Sequence, residues 1–232
     1  MDDSRALFAS STRTAERVSA FLTKVYGWMC IGLGITAAVA YLVASSPALT
    51  SALMANRLVF FALVLAELGL VFFLSARVQS LEPGTAAGLF VAYAALNGVT
   101  LSLILLIYTG ASIATTFIVT GAMFGALAVY GTTTSRSLAG AGQFFFMGLI
   151  GLVLASIVGM FWHNDALQFL ITIVGVIVFT GLTAWDAQRL KQMALTLPDG
   201  QAGAYAVVGA LSLYLNFVNL FLMLLRLQGR RD

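Results

Sequence analysis

Long apolar stretches alternate with short polar breaks along the whole chain. The stretches run from Val25 to Ala44, Leu58 to Val78, Thr85 to Tyr108, Ser112 to Tyr130, Gln143 to Phe161, Ala166 to Ala187 and Tyr205 to Leu227. Between them lie Ser45–Ser46–Pro47, Glu82–Pro83–Gly84, Thr109–Gly110, Thr132 to Arg136, His163–Asn164–Asp165 and Leu197–Pro198–Asp199–Gly200. A hydrocarbon core about 30 Å thick takes about 20 apolar residues of helix per crossing, and each stretch is long enough for one. A β-barrel would instead show strands of about ten residues alternating apolar and polar. Runs such as VFFALVLAELGLVFFL at 59–74 are apolar all round, which is a helical pattern. Only a helix satisfies its own backbone in lipid segment by segment. The pattern predicts an all-α integral membrane protein, a seven-transmembrane-helix bundle. Its organisation is a polar N-terminal segment over 1–22, one transmembrane domain over 23–229 and a short basic tail over 230–232.

Composition closes off the alternatives. Of 232 residues, 60% are hydrophobic and 9% charged, where a soluble domain has about half apolar and about a quarter charged. So few charges do not cover a soluble surface, which excludes a soluble enzyme as well as a disordered or collagen-like chain. One cysteine, Cys30, and one histidine, His163, exclude an internal disulfide, a zinc or iron–sulfur site and a multi-histidine metal centre. The net charge of +3 comes from basic residues scattered singly, with no Lys/Arg run. They fit membrane topology, and no nucleic-acid partner is expected. The first twenty residues carry no apolar core of a cleaved signal peptide. His163 reads as solvated loop surface.

Orientation follows from the same charges. On the N-terminal side fall Arg5, Arg13, Arg17, Lys24, Arg77, Arg136, Arg189 and Lys191; opposite them are Arg57, Arg226, Arg230 and Arg231. Eight against four places the N-terminus in the cytoplasm, and an odd number of spans puts the C-terminus outside. The C-terminal arginines leave open a re-entrant last segment that returns them to the cytoplasm. Small residues at four-residue spacing, Gly121–Gly125 and Gly34–Ala38, read as sites where helices pack closely.

Ionisable groups inside a span are costly and line a cavity or find a partner. Glu67 lies near the middle of the second span, either bonded to a neighbouring helix or facing a water pathway. Asp186, in TAWDAQRL at 183–190, sits toward the cytoplasmic face, as does Arg77 at the end of the second span. The two are expected at similar depth, as an inner pair that closes a pathway and opens on protonation. A snorkelling arginine beside a solvated aspartate is the alternative. Glu67 is about 15 Å deeper, ten residues at ~1.5 Å each. In the last span Ser212, Asn216, Asn219 and Met223 share one helical face, which argues that this helix is buried in the bundle.

These residues carry a resemblance. GALSLYLNFVNLFLMLLRLQG at 209–229, TAWDAQRL at 183–190 and AELGLVFFLS at 66–75 resemble the last-helix, sixth-span and second-span motifs of the Bax inhibitor-1 (transmembrane Bax inhibitor motif) family, its bacterial YccA-like members included. The likeness extends along nearly the whole chain in span number and spacing. It implies a seven-helix fold with the last helix central, and a pH-sensitive calcium leak channel. Some bacterial members associate with and modulate a membrane-bound AAA protease, so such a protease is an implied partner besides the lipid bilayer and calcium ions. By motif, Asp186 corresponds to one acid of the family's aspartate pair, Arg77 to the arginine partner and Glu67 to the second-span acid, with Asn219 beside the pathway. The implied setting is a bacterial inner (plasma) membrane. No cofactor is required, and calcium is at most transient, with Asp186 and Asn216 as its contacts.

There is one departure. Where many relatives carry Asp in LYLD, this chain has Asn216. Two adjacent carboxylates share a proton, because both do not ionise cheaply. An asparagine offers a carbonyl oxygen to calcium but no charge.

Three other readings compete with the channel. The polar segment from Met1 to Ala20 suits a handle for a protease or another membrane partner. An enzyme is not expected: intramembrane aspartyl proteolysis needs two aspartates where only Asp186 lies in a span, His163 lies outside the hydrocarbon, and no GxxxxGK[ST] loop occurs. A secondary transporter would show inverted repeats, and none is evident.

Overall fold

In the computed structural model every residue is described except Met1, His163, Asp199, Gly200, Arg231 and Asp232; for residues 2–13, Arg57 and Met160 only the backbone is described. The reading of His163 as solvated surface therefore falls outside the described residues. The chain is all helical: α1 Asp2–Ala44, α2 Pro47–Ala55, α3 Arg57–Arg77, α4 Pro83–Leu101, a single 3-10 turn Ile104–Leu106, α5 Gly110–Thr133, α6 Ala139–Phe161, α7 Asp165–Thr196 and α8 Ala202–Gln228. Among the described residues seven helices are long and apolar enough to span a membrane, from Thr14–Ala44 to Ala202–Gln228. The protein is a multi-pass membrane protein with the predicted seven spans. Many large apolar side chains are exposed, Phe72 at 71% and Phe161 at 85% among them, which a bilayer accommodates and water does not.

The structure adds detail at three places. The polar break after Ala44 contains a short helix, α2, entered through Pro47 in its first turn, where a proline's missing N–H costs nothing. The sixth span runs on to Thr196, because AQRLKQMALT contains no Gly or Pro to stop it. The third span does not stay α-helical to Tyr108. After Leu101 the backbone bonds tighten to Leu105 N–H on Ser102 O, Leu106 N–H on Leu103 O and Ile107 N–H on Ile104 O.

The chain divides into two compact units, one of residues Met1–Leu101 and Arg189–Leu211, the other of Ser102–Gln188 and Ser212–Asp232. In the first, α4 packs on α1 and α3. Ala86, Phe90, Tyr93, Ala94 and Asn97 lie on one face of α4 and are buried. Thr36 Oγ1 donates to the Ala94 carbonyl at 2.8 Å, and Trp28 meets Phe90 edge-on at 6.4 Å. In the second, Thr116, Thr120, Phe124, Ala128 and Gly131 form the buried face of α5. A core of Leu152, Ile171, Val178, Phe179, Leu182, Leu220, Met223 and Leu224 joins α6, α7 and α8. The last helix is the most enclosed, with 67% of its most apolar stretch buried against 39% for α7 and 6% for α3.

The small-residue pairs do not act as expected. A Cβ added at Gly34, Gly121 or Gly125 would meet nothing within 4 Å. These residues sit on outward faces, where four-residue spacing alone brings no helix near. The close approaches are elsewhere. At Gly175 an added Cβ would lie 2.8 Å from the Met223 sulfur.

Candidate functional site

The α7–α8 pair positions the central carboxylate. Gly175 faces Met223, and eleven residues further along α7 Asp186 faces Ser212, eleven residues back along α8. Eleven residues make about three turns, so the helices run antiparallel with one side chain per level filling the gap. That register puts the polar stripe of α8 against Asp186.

The site is compact. Ser212 Oγ donates to Asp186 Oδ2 at 2.7 Å, and Asn216 Nδ2 donates to the same oxygen at 2.8 Å. Asp186 is 4% exposed and Asn216 6%. A carboxylate oxygen accepts only, so the asparagine presents its nitrogen, and the carbonyl oxygen expected as a calcium contact turns from Asp186. Buried polar groups persist where they are bonded, and here both donors come from one face of α8.

The rest of the TAWDAQRL motif anchors this part of α7. Gln188, 7% exposed, accepts from the Leu138 N–H at 2.7 Å through Oε1 and donates to the Arg136 carbonyl at 2.9 Å through Nε2. One side chain thereby holds the α5–α6 connection. Two residues apart on a helix point to nearly opposite sides, so Asp186 addresses α8 while Gln188 addresses this loop. A Cβ on Gly131 would strike the Ala184 carbonyl, and one on Gly142 would strike the Trp185 ring, so α5 and α6 close on α7 at the residues flanking Asp186. The motif quoted from the sequence contained Gln188 without a role for it. Its signal is a buried amide opposite a polar loop.

Glu67, half-buried in α3, accepts from Thr100 Oγ1 at 2.9 Å and from Asn97 Nδ2 at 3.2 Å, a bond to the neighbouring helix α4. Asn219 donates to the Leu215 carbonyl at 2.8 Å, one turn back in its own helix. Arg77 is exposed at the end of α3 and makes no ion pair with any described residue. Within the second unit, Asp186 takes a hydroxyl from Ser212 and an amide from Asn216.

Among the described residues no three His, Cys, Asp or Glu side chains come together.

Gln188→Ala would remove the partners of the Leu138 N–H and the Arg136 carbonyl together. We expect about 2 kcal/mol of destabilisation, read as a lower unfolding temperature in detergent. Unchanged melting would show that the loop is held by other means.

Comparisons with known proteins agree with this architecture. A family model described as "Inhibitor of apoptosis-promoting Bax1" matches residues 18–232. The chain is 50% identical over 214 residues to inner membrane protein YbhL of Escherichia coli, covering 91% of this chain and 92% of that protein. It is 44% identical over 213 residues to an uncharacterised protein of Borreliella burgdorferi, with 91% and 92% covered. To an uncharacterised membrane protein of Streptococcus pyogenes it is 35% identical over 224 residues, with 95% and 97% covered.

Proposed function

This chain belongs to the Bax inhibitor-1 family, and from that premise we propose that it is a pH-sensitive cation leak of a bacterial inner membrane, conducting calcium, with its gate at Asp186. The observation that carries the reading is the buried carboxylate of Asp186 held by Ser212 and Asn216 of the most enclosed helix. A carboxylate kept in a span marks an ion or proton path more often than a packing solution, because apolar residues pack there at no electrostatic cost. With the N-terminus cytoplasmic, as the distribution of Lys and Arg favours, α7 enters the membrane from outside at Asp165 and brings Asp186 to the inner end of its crossing. Protonation there removes the charge that a passing cation would meet and weakens the two bonds that tie α7 to α8, and it thereby couples pH to the gate. Glu67, bonded into α3 and α4, acts as a structural link.

Flux into liposomes tests this. Purified protein reconstituted with an entrapped calcium dye is expected to carry calcium at a rate that differs between pH 6 and pH 8, about. Asp186→Ala should lower the flux about tenfold, or ~1.4 kcal/mol on the barrier. Asp186→Asn should abolish the difference between the two pH values while melting close to the parent. Parent flux equal to that of empty vesicles at both pH values would remove the reading.

A further inference from the structure

The second unit contains a cavity that the leak reading does not use. It measures about 610 Å³ and is lined by Ile104, Ile107 and Tyr108 at the end of the third span, Asp165, Gln168, Phe169 and Thr172 at the start of α7, and Arg226 and Leu227 at the end of α8. Asp165 lies 21 residues before Asp186 on the same helix, about 31 Å along its axis, so this cavity opens near the opposite membrane face.

Two observations point to a ligand. The first is charge. Asp165 and Arg226, both exposed, line the same cavity with opposite charges, and neither makes an ion pair or a side-chain hydrogen bond with any described residue, including each other. Each charge sits favourably on its own helix, the acid in the first turn of α7 and the base in the last turn of α8. Helix dipoles alone do not require the two to share a cavity. Nor is the acid needed as a cap, because Asn164 Oδ1 already accepts from the Leu167 N–H at 3.1 Å. The second observation is backbone. Irregular backbone at membrane depth is tolerated where it is buried in protein or lines a polar cavity. The 3-10 turn that ends the third span contributes Ile104 to the wall, and Ile107 follows it directly.

The lining also indicates what enters. Its charged groups want an occupant with one cationic and one anionic group. Its apolar members Ile107, Phe169 and Leu227 are exposed, at 47%, 62% and 42%, at the ends of membrane-spanning segments. A soluble zwitterion would leave those side chains uncovered, while a lipid covers them with its chains. We propose that this cavity is a site for a zwitterionic phospholipid, its phosphoethanolamine headgroup spanning Arg226 and Asp165. The phosphate meets the Arg226 guanidinium and the ammonium meets the Asp165 carboxylate. Gln168 also lines the cavity, and the acyl chains run down over Phe169 and Leu227. This site is independent of conduction through Asp186.

Delipidated full-length protein in detergent provides the test. Phosphatidylethanolamine and phosphatidylglycerol of identical chains, and soluble phosphoethanolamine, would each be added, with lipid retention read by native mass spectrometry and melting read in parallel. The parent is expected to retain phosphatidylethanolamine about fivefold over phosphatidylglycerol, the size of one exposed charge contact. Asp165→Asn should bring the two lipids level by losing the ammonium partner, and Arg226→Gln should weaken both. Each variant without lipid should melt close to the parent, since neither charge has a partner among the described residues; a variant that melts far below it, by removing a needed internal contact, counts against the site. Equal retention of the two lipids by the parent, a preference that survives in both variants, or stabilisation by soluble phosphoethanolamine equal to that by the lipid would overturn the proposal.

Discussion

Gly131→Leu is expected to leave little folded protein. A Cβ at this position would run into the carbonyl of Ala184 and lie 3.1 Å from the Ala187 Cβ. The obstacle is backbone, which does not swing away as a flexible side chain does, and α5 must move off α7 to admit any larger residue. Ala184 and Ala187 are 6% and 0% exposed, and they flank Asp186, so the damage falls on the helix that carries the central carboxylate. Overpacking a tight contact costs about 3 kcal/mol at the upper end of its usual range, and four added carbons against backbone belong at that end. Gly125→Leu on the same helix is the control: nothing lies within 4 Å of a Cβ there, and the variant should melt with the parent. Folded yield by size exclusion and thermal unfolding in detergent would show the contrast. Equal behaviour of the two leucine variants would mean that α5 and α7 are not in contact at Gly131.

The contrast between these two glycines shows where reading the chain succeeds. The spans are legible because each must present about 20 apolar residues to lipid, a demand on composition that any window of sequence displays. The burial of α8 is legible for a related reason: Ser212, Asn216 and Asn219 on one face of a lipid-length helix have nowhere favourable to go except inward. Helix contacts are another matter. Gly121–Gly125 has the spacing of a packing motif and faces outward, whereas Gly131 and Gly175 have no such spacing and carry the close approaches. In lipid an apolar face has the same affinity for hydrocarbon as for another helix, so apolar pattern does not say which face is covered.

The partners of polar side chains divide in the same way. That Asp186 needs donors follows from its place in a span. That Ser212 and Asn216 are among the donors depends on the register of α7 on α8, set by contacts such as Gly175 with Met223. Glu67 was legible as a carboxylate that needs donors inside a span, and it accepts from Asn97 and Thr100. Gln188 escaped because an amide two residues from a carboxylate reads as part of the same polar patch, although on a helix it faces away.

The departure from the family pattern at Asn216 gives the other large effect. Asn216→Asp places a second carboxylate where an amide nitrogen now lies 2.8 Å from Asp186 Oδ2. Two charges about 4 Å apart repel by ~4 kcal/mol at an effective dielectric of 20, and here they would be buried. The folded variant avoids this by holding one proton between the two groups, while the unfolded chain, with its carboxylates separated, holds none near neutral pH. The folded state then binds one proton more than the unfolded state. By linkage its stability falls as pH rises, by at most ~1.4 kcal/mol per pH unit, and acid restores it. The parent, with an amide at this position, has no shared proton to lose. Melting measured from about pH 5 to about pH 8 should therefore diverge between variant and parent toward the alkaline end, and calcium flux through the variant should depend more steeply on pH. Asn216→Leu separates the causes, since it removes the donor without adding a charge and should destabilise by a similar amount at every pH. A variant aspartate whose melting and flux run parallel to the parent across that range would show that position 216 does not share a proton with Asp186, and the coupling of pH to the α7–α8 contact would have to be sought elsewhere.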